Sequence, residues 1–145
     1  MAILSCNNDA PQNLVSDKES IQSLLDEYVD GWLDVDTLMV LEVFADSALI
    51  IPSGLQPIKG KQNMASFWFP KDSSKTVITD YKIELKEINI DKNIAYTHEH
   101  GKLNFTYEKG DFYMEKKSKY FAVTIFQKDE RGEWKIVSRS WTDLK

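Results

Sequence analysis

Residues 94–126, IAYTHEHGKLNFTYEKGDFYMEKKSKYFAVTIF, decide the fold of this chain. The run is rich in β-branched and aromatic residues, holds no proline, and folds back at Lys109-Gly110. A Lys-Gly pair between such runs is a two-residue hairpin signal. Strands of this length twist and are unstable as an isolated pair. They require a third strand and a cover over one face.

Both requirements are met nearby. Downstream, Asp129-Glu130-Arg131-Gly132 turns the chain into a last strand over residues 133–142. Upstream, Asp91-Lys92-Asn93 joins the hairpin to a long strand over 76–89, where Ile78, Tyr81, Ile83, Leu85 and Ile88 are spaced mostly by two. The cover comes earlier. Ser16 or Asp17 caps a helix with Ile21, Leu24, Leu25, Tyr28 and Trp32 in one stripe, and Gly31 weakens its end. Asp36 caps a shorter helix with Leu38, Leu41 and Phe44 on one face. A short strand over 48–51 stops at Pro52, a loop fills 53–60, and a third helix over 61–69 turns Met64, Phe67 and Trp68 inward. Three N-terminal helices on one side of an antiparallel sheet make an α+β domain over residues 17–145, preceded by a flexible tail over 1–16. A sheet apolar on both faces curls around its helices and leaves a conical cavity.

The net charge of −5 argues against a nucleic-acid partner, which needs a concentrated basic surface. The cluster Lys116-Lys117-x-Lys119 alternates across two strand faces and reads as a solvated edge. No apolar run is long enough to span a bilayer. The single cysteine, Cys6, rules out an internal disulfide framework. Ile3-Leu4-Ser5-Cys6 is similar to the end of a bacterial lipoprotein signal, which makes Cys6 a candidate lipidation point and membrane tether. The competing reading is a chance tetrapeptide on a cytoplasmic protein.

The order of elements carries particular residues. Asp36-x-Leu38-x-x-Leu41-x-x-Phe44-Ala45-Asp46-x-Ala48 precedes the first strand, followed by Ile51-Pro52-x-Gly54 and by Gly60 at the third helix. Ala95-Tyr96 start a later strand, and Gly132-x-Trp134-Lys135-Ile136-Val137 with Trp141-x-Asp143 close the chain. In these features residues 17–143 resemble the nuclear transport factor 2-like superfamily, within it the SnoaL-like and ketosteroid-isomerase-like branch. The resemblance implies a cystatin-like cone with a ligand pocket, commonly a homodimer, and functions from isomerase and cyclase to plain binding. Ketosteroid isomerases carry an aspartate base on the first strand, where this chain has Pro52 followed by Ser53. Steroid-type proton shuttling at that position is therefore not expected.

With Lys109-Gly110 as the turn, Glu99 faces Tyr120 and Thr97 faces Ala122. The next turn sets Tyr120 opposite Trp141 and Ala122 opposite Arg139. One face then carries Thr97, Glu99, Tyr120, Ala122, Thr124, Val137, Arg139 and Trp141, and the resemblance makes this the cavity face. The other carries Tyr96, His98, His100, Phe121, Val123, Ile136 and Ser138. The histidines are two apart on one strand, as a metal pair would be. No third ligand is evident beside them, so neither metal nor cofactor is expected, and a structural or dimer-face role is favoured.

Glu99 is the chemical candidate. Among apolar walls a carboxylate loses hydration, which suits a general acid or base, with Tyr120 as donor to a developing oxyanion. Arg139 lies two strands away, roughly 10 Å across the ladder. It either pairs with Glu99 structurally or binds an anionic group of the substrate. Tyr28, Trp32 and Trp68 are core residues by spacing and pocket walls by the resemblance, alongside Thr97, Val137 and Trp141. Two functions stay open: acid–base catalysis on a small, partly apolar molecule, or non-catalytic binding or dimerisation.

Overall fold

The computed structural model describes the backbone of residues 9–145 and the side chains of residues 16–145. Cys6 and the first half of the expected tail lie outside the described residues. Among them are three helices, α1 (Asp9–Leu33), α2 (Thr37–Glu42) and α3 (Lys61–Trp68). The strands are β1 (Phe44–Ile51), β2 (Ile58–Lys59), β3 (Lys75–Asp91), β4 (Ile94–Lys109), β5 (Phe112–Lys128) and β6 (Trp134–Leu144). They form one sheet in the order β2-β1-β6-β5-β4-β3, antiparallel throughout except where β1 runs parallel to β6.

The central hairpin turns at Gly110-Asp111, because Lys109 pairs with Phe112. Gly110, at φ 60°, takes the first central position of the turn, where a positive φ favours glycine. Every partner is thereby displaced by two residues from the expected register, so Glu99 pairs with Ala122 and Gly101 with Tyr120. An even displacement leaves each side chain on its expected face. Between β5 and β6 the faces do change. Ile125 pairs with Ser138 but Phe126 with Ile136, so Val137 is the extra residue of a β-bulge. Ile136 and Trp134 consequently point into the core, where the unbulged reading had Ile136 on the outer face.

The helices lie across the concave side. α1 starts at Asp9, inside the expected tail, and Asp17 is no cap. Asp17 instead accepts from Trp134 Nε1 at 2.9 Å and pairs with Lys128 Nζ at 2.9 Å, tying α1 to the β5–β6 end of the sheet. Ile21, Leu24, Leu25 and Tyr28 of α1 are buried as its stripe requires. Asp36 does cap α2, accepting from the Met39 amide at 3.0 Å. The fully buried residue of α2 is Val40, with Leu41 half-buried against the core; Leu38 is 77% exposed, and Phe44, although buried, already belongs to β1. Gly31 explains the difference. A Cβ there would stand 2.9 Å from both the amide nitrogen and Cγ2 of Val40, so the missing side chain is what lets α2 dock through Val40. On α3, Met64 is buried and Trp68 half-buried, while Phe67 is exposed.

Candidate functional site

Three rungs of the sheet build the site. Thr97, Thr124 and Arg139 share one rung across β4, β5 and β6, and Glu99, Ala122 and Trp141 share the next. Gly101, Tyr120 and Asp143 make the third. Ala122 is the small member of its rung and leaves room for the long side chains of Glu99 and Arg139 to meet diagonally. They do so at 2.7 Å, Arg139 Nη1 donating to Glu99 Oε1. Glu99 is 0% and Arg139 1% exposed.

The hydrogen count around this pair fixes the direction of its bonds. Arg139 Nη1 also donates to Thr124 Oγ1 at 2.6 Å, so the Thr124 hydroxyl must send its own proton elsewhere, to Glu99 Oε2 at 2.6 Å. Thr97 Oγ1 donates to the same oxygen at 2.6 Å. Glu99 therefore accepts three hydrogen bonds, two at Oε2 and one at Oε1. Arg139 Nη2 donates to the Tyr120 hydroxyl at 2.9 Å, and that oxygen lies 2.5 Å from the hydroxyl of Tyr81 on β3.

Burial acts on Arg139 and on the two phenols. It opposes the Arg139 cation, but Glu99 together with the oxygens of Tyr120, Tyr28 and Tyr81 outweighs it and holds the guanidinium firmly charged. For Tyr120, burial pushes the phenol up to about 12 although Arg139 pulls it down. Burial likewise pushes Tyr81 well above the ordinary range for tyrosine. Both phenols are protonated donors at neutral pH.

A cavity of about 350 Å³ opens above this cluster. Tyr81, Tyr120 and Arg139 line its polar part, Trp32, Trp68, Trp141, Ile78 and Leu103 are among its apolar walls, and Lys116 and Asp143 are exposed charges on its lining. The aromatic walls support one another. Tyr28 meets Trp32 and Trp68 at centroid distances of 6.2 Å, and the Trp68 and Trp141 rings stack at 6.3 Å. Arg139 lies 4.9 Å over the Tyr28 ring, so one flat face of the guanidinium is covered.

The expected residues divide accordingly. Tyr28, Trp32, Trp68, Tyr120, Arg139 and Trp141 line the cavity together. Glu99 and Thr97 stand behind that lining, fully buried, as counter-ion and donor to the cluster. This corrects the reading of Glu99 as an acid or base facing the pocket, because alternation separates inward from outward but not lining from underlying. Val137 is absent from the lining because the bulge takes it out of the alternation. His98 and His100 are on the opposite face, where His98 Nδ1 pairs with Glu87 Oε2 at 2.9 Å. Among the described residues, no group of three His, Cys, Asp or Glu side chains is arranged to hold a metal.

Tyr81 is the site residue that sequence reasoning missed. A bulge between Ile78 and Asp80 turns both Ile78 and Tyr81 inward. The signal was present as the spacing of three between Ile78 and Tyr81, repeated between Leu85 and Ile88 where β3 has its second bulge.

Neither a protein-family model nor a curated relative matches the sequence. Solved structures do match the fold. A ketosteroid isomerase-like protein from Erwinia carotovora atroseptica is 15% identical with a TM-score of 0.73, over 88% of this chain and 95% of that one. An NTF2-like protein with a cystatin-like fold from Novosphingobium aromaticivorans is 15% identical at a TM-score of 0.70, over 100% and 93%. An NTF2-like protein of unknown function from Prochlorococcus is 18% identical at 0.71, over 88% and 93%. At these identities the likeness is one of fold. The chain has the nuclear transport factor 2-like fold, with its cystatin-like curved sheet and helical cover.

Proposed function

We propose that this chain binds a small, partly apolar molecule in the cavity, with the polar end of the ligand at Arg139, Tyr120 and Tyr81. The observation that carries this reading is the pairing of aromatic walls with one buried polar cluster in a space of about 350 Å³. Such a combination suits a ligand whose body is apolar and whose orientation is set by a few polar contacts. In this reading Glu99 organises the site and transfers no proton to the ligand, because it is fully buried behind the cavity lining and ion-paired to Arg139. Binding without turnover is thus favoured over acid–base catalysis by Glu99.

The test is native mass spectrometry of gently purified protein, followed by release of the bound molecule under denaturing conditions. The reading expects a non-covalent ligand whose mass is unchanged after prolonged incubation with fresh protein. Conversion of the released molecule to a product would overturn the non-catalytic part of the reading.

A further inference from the structure

We infer that the cavity selects its ligand through an uncharged hydrogen-bond acceptor, a carbonyl of ketone, ester or amide type, and discriminates against carboxylates. This rests on the binding reading above and adds the class of ligand. The argument is an accounting of charge and protons. Arg139 and Glu99 cancel at 2.7 Å, and the phenols beside them are neutral, so the buried cluster carries no net charge toward the cavity. A carboxylate entering there would lose its water without meeting an uncompensated cation, a costly transfer. Lys116 does not repair this. It is exposed at the lining, shares it with Asp143, and both are screened by solvent.

Protons, by contrast, are in surplus. The Tyr81 and Tyr120 oxygens are 2.5 Å apart and only one hydroxyl hydrogen lies between them. Tyr120 already accepts from Arg139 Nη2, so whichever phenol donates to the other, one hydroxyl hydrogen is left without a partner inside the pair. Both tyrosines line the cavity, which makes that hydrogen available to an acceptor there.

Three probes of one shape separate the alternatives: 2-acetylnaphthalene, 2-naphthoate and 2-ethylnaphthalene, titrated at pH 7 against tryptophan fluorescence. The ketone is expected to bind on the order of tenfold more tightly than either the carboxylate or the hydrocarbon, the scale of one buried hydrogen bond. Tyr81→Phe and Tyr120→Phe each leave one phenol with a free hydrogen, so each single variant keeps the preference for ketone over hydrocarbon. The double variant, verified as folded by thermal unfolding, lacks both phenol donors and keeps only the Arg139 Nη2 hydrogen released from Tyr120, so the preference falls severalfold. Naphthoate binding to the native protein as tightly as the ketone, or a preference undiminished in the double variant, overturns the inference while leaving the binding reading intact. Failure of all three probes to bind overturns both.

Discussion

Glu99 and Arg139 form a 2.7 Å ion pair beneath the cavity, and the arginine alone of the two reaches the lining. The carboxylate is the foundation and the guanidinium the part a ligand can touch. Glu99→Gln therefore acts first on stability. It leaves a buried cation without its counter-charge, which costs about 3–5 kcal/mol. The double variant Glu99→Leu/Arg139→Met, apolar on both sides, should recover most of that loss. Urea unfolding midpoints of the native, single and double variants measure both effects; a Glu99→Gln protein as stable as the native one contradicts this role.

The two buried phenols make a prediction about alkaline pH. Folded, Tyr120 is pushed up to about 12 and Tyr81 well above its ordinary value, whereas unfolded tyrosines ionise near 10.0. Above that value the unfolded chain releases protons that the folded one retains, so stability falls as pH rises. The stabilisation is complete below pH 10 and is lost as pH climbs from there through about 12. Ultraviolet titration of tyrosine ionisation, run beside circular dichroism, should show the last tyrosines ionising together with unfolding. Tyr81→Phe/Tyr120→Phe should flatten the decline.

Gly101 is the third lever. Tyr120 lies across from it, and a Cβ at Gly101 would fall 2.1 Å from the Tyr120 ring. Gly101→Ala must push the ring aside and part the Tyr81–Tyr120 pair, at a cost of about 1–3 kcal/mol for a crowded core. In a Tyr120→Ala background the same substitution should be nearly free. The coupling from the four-member cycle is the readout, and additive costs would show that Gly101 does not position Tyr120.

Much of this site was legible before any coordinates. Glu99 inward and the histidines outward followed from alternation, and they survived a register displaced by two because side chains repeat with that period. The Glu99–Arg139 contact followed from strand spacing and side-chain length. Val137 and Ile136 were misplaced for the opposite reason: one inserted residue reverses the faces, and no residue type in β6 announces a bulge. The depth of Glu99 was not legible either. It depends on Tyr120 and Arg139 closing over it, a matter of three-dimensional packing that periodicity does not encode.

The central claim is that the aromatic cavity above Arg139 is where a ligand sits, and a blocking substitution tests it most directly. Ser118 is half-buried on the cavity wall, so Ser118→Phe fills the space while leaving the residues of the ion pair and both phenols in place. Fluorescence titration with 2-acetylnaphthalene should show saturable quenching of the native protein, with Trp32, Trp68 and Trp141 in the walls as reporters. The account predicts that Ser118→Phe abolishes this quenching while the thermal unfolding midpoint stays unchanged. Equal affinity in native and Ser118→Phe proteins would place the ligand elsewhere and contradict the account.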